Sequence, residues 1–530
     1  MTKAGRKGKS KMKKIKCALI SVSDKEGIVD FARELQRLGI KIISTGGTAK
    51  LLRRENINVI LVSNVTGFPE ILEGRVKTLH PLIFGGILAK RESTLHQQQI
   101  KEQNVNQIDL VVVNLYPFEK TIFKKGVTLD EAIENIDIGG PSLLRAAAKN
   151  YQDVTVAIDP GSYSLIINEL KENNGEISLK TKKKLAVEVF EHTAFYDTMI
   201  SKYLSQNMLE ETEEFPMNIN LLAKKRLQLR YGENPYQKAT FYKEPFVDEA
   251  NLGEAVQLGG KELSFNTLVD LNAVLEIIKD FSEPTVVFVK HTNPCGLASA
   301  DSIKTAYQKA YEGDPLSAYG SIIGINRVVD VELAQLINDT TFVEAILAPG
   351  YEEDALEILR KKKNRRILKV GDLSNQDAQV KDIKKISGGF LIQNRNLQEP
   401  TIDDLKVVSE KKPDKEELEK LLFAWKAVKH IKSNAIVLTK DKQVVGVGAG
   451  QMSRVDSVKI AVMKSKDRSG GSFLASDAFF PFRDGVDEAA NAGVTAIIQP
   501  GGSKRDQEAI DAANEHHLVM VFTGSRCFKH

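Results

Sequence analysis

Short apolar runs alternate with amphipathic helical stretches in the first part of the chain, and this alternation restricts the fold more than any other feature. The apolar runs lie at residues 16–22, 41–45, 59–63, 109–115 and 154–158, and one helical stretch spans residues 25–38. Alternating strands and helices predict an α/β fold with a parallel sheet that helices cover. Ligands of such sheets bind in the crevice at the carboxyl ends of the strands.

Polar side chains follow the predicted strands at these carboxyl ends: Ser21, Lys25, Thr45, Asn114 and Tyr116. Gly46, Gly47 and Thr48 then open a helix predicted at residues 49–55. The free N–H groups and the positive end of such a helix suit a phosphate. A Gly-Gly turn that only caps the helix is the alternative interpretation.

Arg75, Lys77 and Thr78 place two cations and a hydroxyl close together ahead of Pro81. This grouping suits a phosphate or an oxyanion. Ordinary surface charge is the alternative, and the segment alone does not separate the two.

Asp137 lies just before Gly139 and Gly140, ahead of a helix predicted at residues 141–150. We place Pro141 at the first helical position, where its missing N–H costs nothing. Asp137 suits an acid/base or hydrogen-bonding role, and Lys149 suits the stabilisation of an oxyanion. A helix cap and a surface ion-pair face are the alternatives.

In the second half, a continuous apolar run at residues 285–289 predicts a buried strand that ends in Lys290 and His291. A turn is predicted at Asn293 and Pro294. Neighbours on a regular strand face opposite sides, so both side chains reach one substrate only if the strand ends before this turn.

His291 and Cys295 are residue types that bind zinc in the zinc deaminases. That chemistry requires a His or Cys two residues before a catalytic Glu, together with a CxxC pair. The chain contains no HxE, CxE or CxxC. The sequence therefore argues against a catalytic zinc and leaves Lys290 and His291 as candidates for proton transfer.

Residues 446–450 form a GxGxG stretch that lacks the next glycine of the dinucleotide fingerprint and a clear βαβ setting, which argues against dinucleotide binding. The strand-rich segments 286–296 and 435–450 are candidate halves of a diverged duplication. Three aromatic residues either fill the core or hold a flat heteroaromatic ring: Phe479, Phe480 and Phe482.

A length of 530 residues predicts two or three domains, because a single core stops growing well below this size. The periodicity lapses after a helix predicted at residues 185–204, in an acidic stretch that contains Pro216. We therefore expect a domain at residues 15–205, a linker at 206–221 and a second domain at 222–530.

No apolar run approaches the roughly 20 residues that cross a bilayer, and the N-terminus lacks the apolar centre of a secretory signal. The three cysteines form no CxxC, which fits a reducing compartment. We expect a cytoplasmic protein without membrane contact.

Residues 1–14 are predicted to be a disordered basic arm, since residues 1–16 hold eight Lys and Arg and no acid. Basic arms bind nucleic acid in some proteins, but this one lacks interleaved aromatic residues. We expect no specific nucleic acid partner and keep a nucleic-acid-binding arm as an alternative.

The phrases SVSDK, STGGTAK, GRVKTLHP, NLYPF, IDIGG and LLRAAAKN resemble, over residues 15–205, the inosine monophosphate cyclohydrolase half of the bifunctional purine biosynthesis enzymes. The resemblance implies a three-layer fold like that of methylglyoxal synthase. It implies four catalytic residues: Lys77, Tyr116, Asp137 and Lys149. It also implies a nucleotide-binding set: Ser21, Lys25, Thr45, Gly46, Gly47, Thr48, Arg75, Thr78, Asn114, Gly139 and Gly140.

The phrases RYGENP, VKHTNPCG, DPLSAYG, APGYEE, SNAI, GVGAGQMSR, SDAFFPFRD and VFTGSRCFKH resemble, over residues 222–530, the formyltransferase half of the same family. The resemblance implies a duplicated cytidine-deaminase-like α/β core without zinc, 10-formyltetrahydrofolate as formyl donor, and a homodimer with formyltransferase sites at its interface. The implied catalytic residues are Lys290, His291 and Asn434. The implied nucleotide ligands are Arg230, Tyr231, Gly320 and Arg526, and the implied folate ligands are Arg454, Phe479, Pro481, Phe482 and Asp484.

These resemblances predict a bifunctional enzyme for the last two steps of inosine monophosphate synthesis. The product of the second half would be the substrate of the first. A phosphate-sensing regulatory role for the first domain is the competing interpretation, and Tyr116, Asp137 and Lys149 argue against it.

Overall fold

A computed structural model describes residues 13–209 and 214–530 of the chain. The chain divides into two compact units, Met1–Leu222 and Ala223–His530. Residues 1–12 of the predicted basic arm and residues 210–213 of the predicted linker lie outside the described residues. In the described part of the chain, no helix combines the length and the apolar character that crossing a bilayer requires.

The first unit contains one parallel sheet with the strand order β3-β2-β1-β4-β5. Its strands are β1 Cys17–Val22, β2 Lys41–Ser44, β3 Val59–Leu61, β4 Leu110–Asn114 and β5 Thr155–Ala157. Ala18, Leu19 and Ile20 are all fully buried although neighbouring residues face opposite sides. Both faces of the sheet are therefore covered, as a parallel sheet requires, and the predicted strand–helix alternation is confirmed.

Two helix packings dominate this unit: α1 packs on α9, and α8 packs on both α4 and α10. Their bounds are α1 Ile28–Arg37, α2 Gly46–Arg54, α3 Val62–Thr66, α4 Pro81–Leu88, α5 Thr94–Glu102, α6 Phe118–Ile122, α7 Leu129–Glu134, α8 Gly139–Lys149, α9 Tyr163–Glu172 and α10 Leu179–Met208.

Several helix boundaries differ from the predictions, and those of α8 and α10 affect the predicted roles of Pro141 and of the linker. Helix α8 starts at Gly139, so Pro141 is its third residue, and the prediction of Pro141 at the first position is wrong. The first four N–H groups of a helix have no partner within it, so proline is tolerated throughout this turn. Helix α10 extends to Met208, which makes the first residues of the predicted linker helical.

The second unit is built on a sheet of twelve strands. Their bounds, with two short strand pairs included, are β6 Lys224–Gln228, β7 Thr240–Lys243, β8 Val256–Gly259, β9 Thr285–Lys290, β10 Asn293–Ser299, β11 Ser321–Ile325, β12 Val343–Ala348, β13 Arg366–Lys369, β14 Lys381–Ile386, β15 Gly389–Asn394, β16 Lys406–Val407, β17 Ile436–Lys440, β18 Gln443–Gly448, β19 Phe473–Ser476, β20 Ala496–Gln499 and β21 Val519–Phe522.

The strand order of the large sheet shows that this unit is a duplication. One half runs β8-β13-β12-β11-β9-β10, the other runs β16-β21-β20-β19-β17-β18, and the halves join where β10 pairs with β18. Each half has an antiparallel hairpin, three parallel strands and an antiparallel edge strand. The predicted duplication of the α/β core is confirmed.

The helices of this unit repeat in the same order around the two hairpins. They are α11 Phe265–Lys279, α12 Ile303–Gly313, α13 Pro315–Ala318, α14 Val331–Thr340, α15 Glu353–Arg360, α16 Lys415–Val428, α17 Arg454–Ser465, α18 Asp484–Asn491 and α19 Asp506–Glu515. Helices α11 and α16 precede the hairpins and cover one sheet face, where Val287 and Val437 belong to one buried cluster.

Glycines set the approach of a helix to each hairpin. A Cβ at Gly296 would collide with the Ala310 carbonyl oxygen of α12, and a Cβ at Gly446 would collide with the Ala461 carbonyl oxygen of α17. Gly448 has the same relation to Ser457. Gly446 and Gly448 of the GxGxG stretch therefore serve close packing of helix on strand.

Candidate active sites

In the first unit, Thr45 is the one residue between β2 and α2, and Gly46 begins α2. The Gly46 N–H donates to Oε1 of Glu70 at 3.1 Å, and the Thr45 hydroxyl donates to the same oxygen. The Lys77 amine lies 3.9 Å from the place that a Cβ on Gly46 would take. The start of α2 and Thr45 thus bind an anionic oxygen in the position where the sequence predicts a phosphate.

Lys25, Thr48 and Asn114 connect the loops at the same sheet edge. The Thr48 hydroxyl accepts a hydrogen bond from the Lys25 amine at 3.1 Å, and Asn114 Oδ1 accepts one from the Asp24 N–H at 2.9 Å. Burial, followed by the charge of Lys77, lowers the pKa of Lys25. These side chains brace the end of β1, and their direct contact with a nucleotide stays a prediction, as does that of Ser21.

Asp137 lies in a restricted space at the start of α8. Its Oδ1 accepts a hydrogen bond from the Gly140 N–H at 2.8 Å, and a Cβ at residue 140 would collide with the carboxylate. Burial raises the pKa of Asp137, while the Gly140 and Tyr116 backbone groups and Lys77 partly oppose the rise. A carboxyl group with a raised pKa beside a lysine is suited to exchanging a proton near neutral pH.

Tyr196 on α10 holds the Asp137 segment and was not predicted. Its hydroxyl accepts a hydrogen bond from the Asp137 N–H at 2.8 Å. Burial raises the pKa of this phenol to about 12, which keeps it protonated. On the sequence, Tyr196 is one aromatic residue among several on a long helix, and no local pattern distinguishes it.

Thr78 lies against the start of α8, since its hydroxyl is 3.1 Å from the place of a Cβ on Gly139. Arg75 is exposed and forms an ion pair with Glu134. Lys149 is the last residue of α8, so roughly 16 Å of helix separates it from the Asp137 end. The structure thus groups Lys77, Thr78 and Asp137 but does not bring Lys149 to them within one chain.

In the second unit, β9 ends at Lys290, and His291 and Thr292 form a two-residue turn before β10. Their φ angles of 51° and 65° lie in the left-handed region. The predicted end of the strand before Asn293 is confirmed, but the predicted turn at Asn293 and Pro294 is wrong. Both residues begin β10, where proline is tolerated because it stands near the strand start.

A cavity of about 240 Å³ lies between this turn and the ends of α12 and α17. Its lining includes amine, imidazole, thiol, hydroxyl and carboxylate groups, from Lys290, His291, Cys295, Asp314, Ser317 and Lys464. The Lys290 amine donates to the Tyr319 carbonyl oxygen at 2.9 Å. Burial raises the pKa of Cys295 to about 12, so its thiol stays protonated.

Asp314 and Lys464 complete the cavity wall and were not predicted. Asp314 accepts hydrogen bonds from the Ser317 N–H at 3.1 Å and from the Lys464 amine at 3.1 Å. It therefore caps α13, the short helix that leads to Tyr319. The DPLSAYG phrase contained this signal as an Asp before a proline at a helix start.

Asn434 precedes β17, and the nearby Lys432 N–H donates to Asn293 Oδ1 at 3.0 Å. Arg454 donates to Asn434 Oδ1 at 2.7 Å and also binds the buried Asp477. Arg454 thus fixes the Asn434 amide, and its direct contact with folate stays a prediction.

Two predicted phosphate ligands lie elsewhere on this unit. Arg230 is exposed and stacks on Tyr231 with its guanidinium carbon 4.9 Å from the ring centre. Arg526 lines a separate small cavity of about 20 Å³. Gly320 follows Tyr319 directly, with φ of 73° and its N–H bonded to the Phe342 carbonyl. Of the predicted nucleotide ligands of this unit, only Gly320 lies next to Tyr319, whose carbonyl oxygen accepts the hydrogen bond from Lys290.

The aromatic cluster divides between core and surface. Phe480 is 1% exposed and packs in the core, whereas Phe479 and Phe482 are 38% and 49% exposed. Arg505 covers Phe482 at 4.9 Å. Pro481 is half-buried and Asp484 is exposed at the start of α18. Exposed aromatic faces beside a carboxylate suit a flat, hydrogen-bonding ring.

Metal ligands are a separate question for both units. Among residues 13–209 and 214–530, no three His, Cys, Asp or Glu side chains form a group that could hold a metal ion.

Comparison with known proteins covers both units. Family models described as MGS-like domain and AICARFT/IMPCHase bienzyme match residues 27–142 and 147–464. The bifunctional purine biosynthesis protein PurH of Acetivibrio thermocellus is 57% identical over 517 residues, which are 97% of this chain and 100% of that protein. PurH of Ruminiclostridium cellulolyticum is 54% identical with the same coverage. A solved structure titled "Crystal structure of ForH" is 33% identical, covers 36% of this chain and 98% of its own, and has a TM-score of 0.34.

Proposed function

The chain belongs to the family of bifunctional purine biosynthesis proteins, and we propose that each of its two units holds one of the two active sites. It is an aminoimidazole carboxamide ribotide formyltransferase and an inosine monophosphate cyclohydrolase. The first reaction transfers a formyl group from 10-formyltetrahydrofolate to the 5-amino group of the ribotide. The second closes the ring of the formylated product with loss of water.

The second unit (Ala223–His530) is the proposed site of formyl transfer. The accepting amine is conjugated to a carboxamide and is a weak nucleophile, so it needs a base when it attacks the formyl carbon. His291 takes the amine proton, and Lys290 supplies a proton to the leaving folate nitrogen. The observation that carries this proposal is the end of β9 at Lys290, which lets both side chains reach one cavity.

Asn434 is proposed to orient substrate groups through an amide that Arg454 holds in one orientation. Phe479, Pro481, Phe482 and Asp484 form the proposed folate surface. Arg230, Tyr231, Gly320 and Arg526 are proposed to bind the nucleotide, because a guanidinium fork matches phosphate oxygens.

The first unit (Met1–Leu222) is the proposed site of ring closure. The reaction removes a proton from the carboxamide nitrogen, joins this nitrogen to the formyl carbon and expels the formyl oxygen as water. Asp137, whose pKa is influenced by the charge of Lys77, is proposed to share these proton transfers with Lys77, and Tyr116 and Lys149 complete the proposed set. The α2 end with Thr45, Gly46, Gly47 and Thr48 is proposed to bind the phosphate, with Arg75 and Thr78 alongside.

The protein is proposed to work as a cytoplasmic homodimer. Support for the dimer comes from the separation of the predicted phosphate ligands: the residues that line the Lys290 cavity in the described part of the chain do not include Arg230 or Arg526. A second copy would bring its own Arg230 or Arg526 to this cavity. Gel filtration tests whether the protein is a dimer. A mixture of the Arg526→Ala and Lys290→Ala variants should recover formyl transfer if one site uses residues from two copies.

The division of labour is tested by assaying both steps separately. The ribotide and 10-formyltetrahydrofolate are supplied without added metal, and tetrahydrofolate and inosine monophosphate are followed independently. Lys290→Ala and His291→Ala should lose formyl transfer and keep cyclisation of added formylated ribotide, whereas Asp137→Ala should do the reverse. Loss of both activities in every variant would refute two independent sites.

A further inference from the structure

We propose that Asp270 is a positioning residue for formyl transfer, which holds the left-handed turn that presents His291 to the cavity. The inference rests on the proposed role of His291. Asp270 lies in the middle of α11, and its Oδ1 accepts a hydrogen bond from the Thr292 N–H at 2.7 Å. It is the only charged residue in the first two turns of this helix, whose second half also carries Glu276 and Lys279.

The turn needs such support because of its residues. A two-residue hairpin turn with both φ angles positive normally uses Asn and Gly, and here it consists of His291 and Thr292. A β-branched residue in the left-handed region is strained, and strain of this kind persists only where the surroundings impose it. The hydrogen bond that the Thr292 N–H donates to Asp270 on α11 is a contact that imposes this conformation.

The carboxylate also interacts electrostatically with His291. Burial raises the pKa of Asp270, while the Thr292 N–H and the charge of His291 oppose the rise. Lys290, Asp314 and Lys464 are the other charged groups that line the same cavity. Asp270 itself is absent from the lining of the cavity, so it acts on the substrate through the turn.

The second half of the duplication provides an internal comparison. Asp441 and Lys442 form the corresponding turn between β17 and β18, with φ angles of 46° and 54°. On α16, Lys420 contacts this turn, since its amine lies 3.6 Å from the Asp441 carboxylate. The two halves thus keep the turn but connect it to the preceding helix by different chemistry. The carboxylate-to-backbone connection belongs to the half that carries His291.

Two substitutions separate the hydrogen bond from other roles of Asp270. Asp270→Ala removes the acceptor and should lower kcat of formyl transfer by roughly 100-fold, as expected for a displaced catalytic group. Asp270→Asn keeps an oxygen that accepts from the Thr292 N–H and should retain most of the activity. KM for the ribotide should change less than about threefold in both, because the nucleotide ligands are untouched.

A rescue variant tests the turn directly. Glycine adopts positive φ without strain, so Asp270→Ala combined with Thr292→Gly should recover at least about tenfold of the lost kcat. Lys420→Ala is the matched control, because it removes the helix contact to the other turn and should leave kcat unchanged. Cyclisation and the thermal unfolding temperature are measured on every preparation.

Wild-type kcat in Asp270→Ala would overturn the inference, as would an Asp270→Asn variant as inactive as the alanine variant and without rescue by Thr292→Gly. If Asp270→Ala fails to fold, the asparagine and double variants decide the matter. Full formyl transfer in His291→Ala would instead refute the proposed function. Loss of activity in His291→Ala with full activity in Asp270→Ala would refute only the role of Asp270.

Discussion

The Lys290 amine donates a hydrogen bond to the backbone carbonyl of Tyr319 at 2.9 Å, which ties a strand end to the segment after α13. Asp314 caps α13 through Ser317 and accepts a hydrogen bond from Lys464. The position of the Lys290 amine therefore depends on the Asp314 carboxylate, although none of these hydrogen bonds joins Lys290 to Asp314.

Asp314→Ala should reduce formyl transfer by roughly tenfold, because losing a helix cap costs about 1 kcal/mol and loosens the Tyr319 carbonyl. Asp314→Asn still accepts from the Ser317 N–H and should keep more activity. The measurement is kcat for tetrahydrofolate release, with cyclisation as a control on the same sample. Equal activity of the alanine variant and the unaltered protein would contradict the connection.

Tyr196→Phe should lower cyclisation by roughly tenfold, since it leaves the partly buried Asp137 N–H without this partner, at a cost of about 1 kcal/mol, and would shift the Asp137 segment. The phenyl ring keeps its packing against Phe118, whose ring centre lies 6.1 Å away. Tyr203→Phe is the matched control, because Tyr203 also packs on Phe118 from α10. Inosine monophosphate formation from added formylated ribotide measures both. Similar losses in the two variants would indicate a packing effect instead.

The sheet and the grouping of polar residues at its carboxyl edge follow from sequence patterns, because strand and helix periods are local. The turn at His291 does not follow from them. Asn293-Pro294 has the stronger turn signal, yet pairing of Lys290 with Asn293 across the hairpin decides where the chain reverses. Tyr196 and Asp270 act through hydrogen bonds to backbone groups that lie 59 and 22 residues away in the sequence. No residue spacing reports such contacts, although an aspartate among uncharged residues in the first half of α11 is a signal in retrospect.

Asp137→Asn should raise the unfolding temperature of the first unit near pH 7 while abolishing cyclisation. The pKa of Asp137 is raised in the folded chain, so its contribution to stability is present below the unfolded pKa and is lost as pH rises through the folded pKa. The neutral amide avoids this loss. The stabilising effect should therefore disappear at a pH below the ordinary carboxyl pKa of 3.8. Thermal melts from pH 3 to 8 measure it, and a constant difference over this range would contradict the assignment.

The cyclisation rate of the unaltered protein should fall as the pH drops through the raised pKa of Asp137, if the ionised carboxylate accepts the proton. Tyr196→Phe should shift this acidic limb, because it alters the hydrogen bonding of the Asp137 segment. A profile of kcat against pH measures the shift. An acidic limb that is identical in both proteins would argue that another group sets it.

Glu70→Ala should lower KM for the formylated ribotide in cyclisation. The Glu70 carboxylate accepts from Gly46 and Thr45, which are the groups proposed to bind phosphate, so substrate phosphate has to displace it. Removing the competitor should tighten binding by about threefold to tenfold, within the range of one charge-assisted hydrogen bond. Glu134→Ala is the comparison variant for the exposed Arg75 pair and should have a smaller effect, because exposed ion pairs contribute little. Weaker substrate binding in Glu70→Ala would show that Glu70 holds Thr45 and Gly46 in place for the phosphate and does not compete with the phosphate for them.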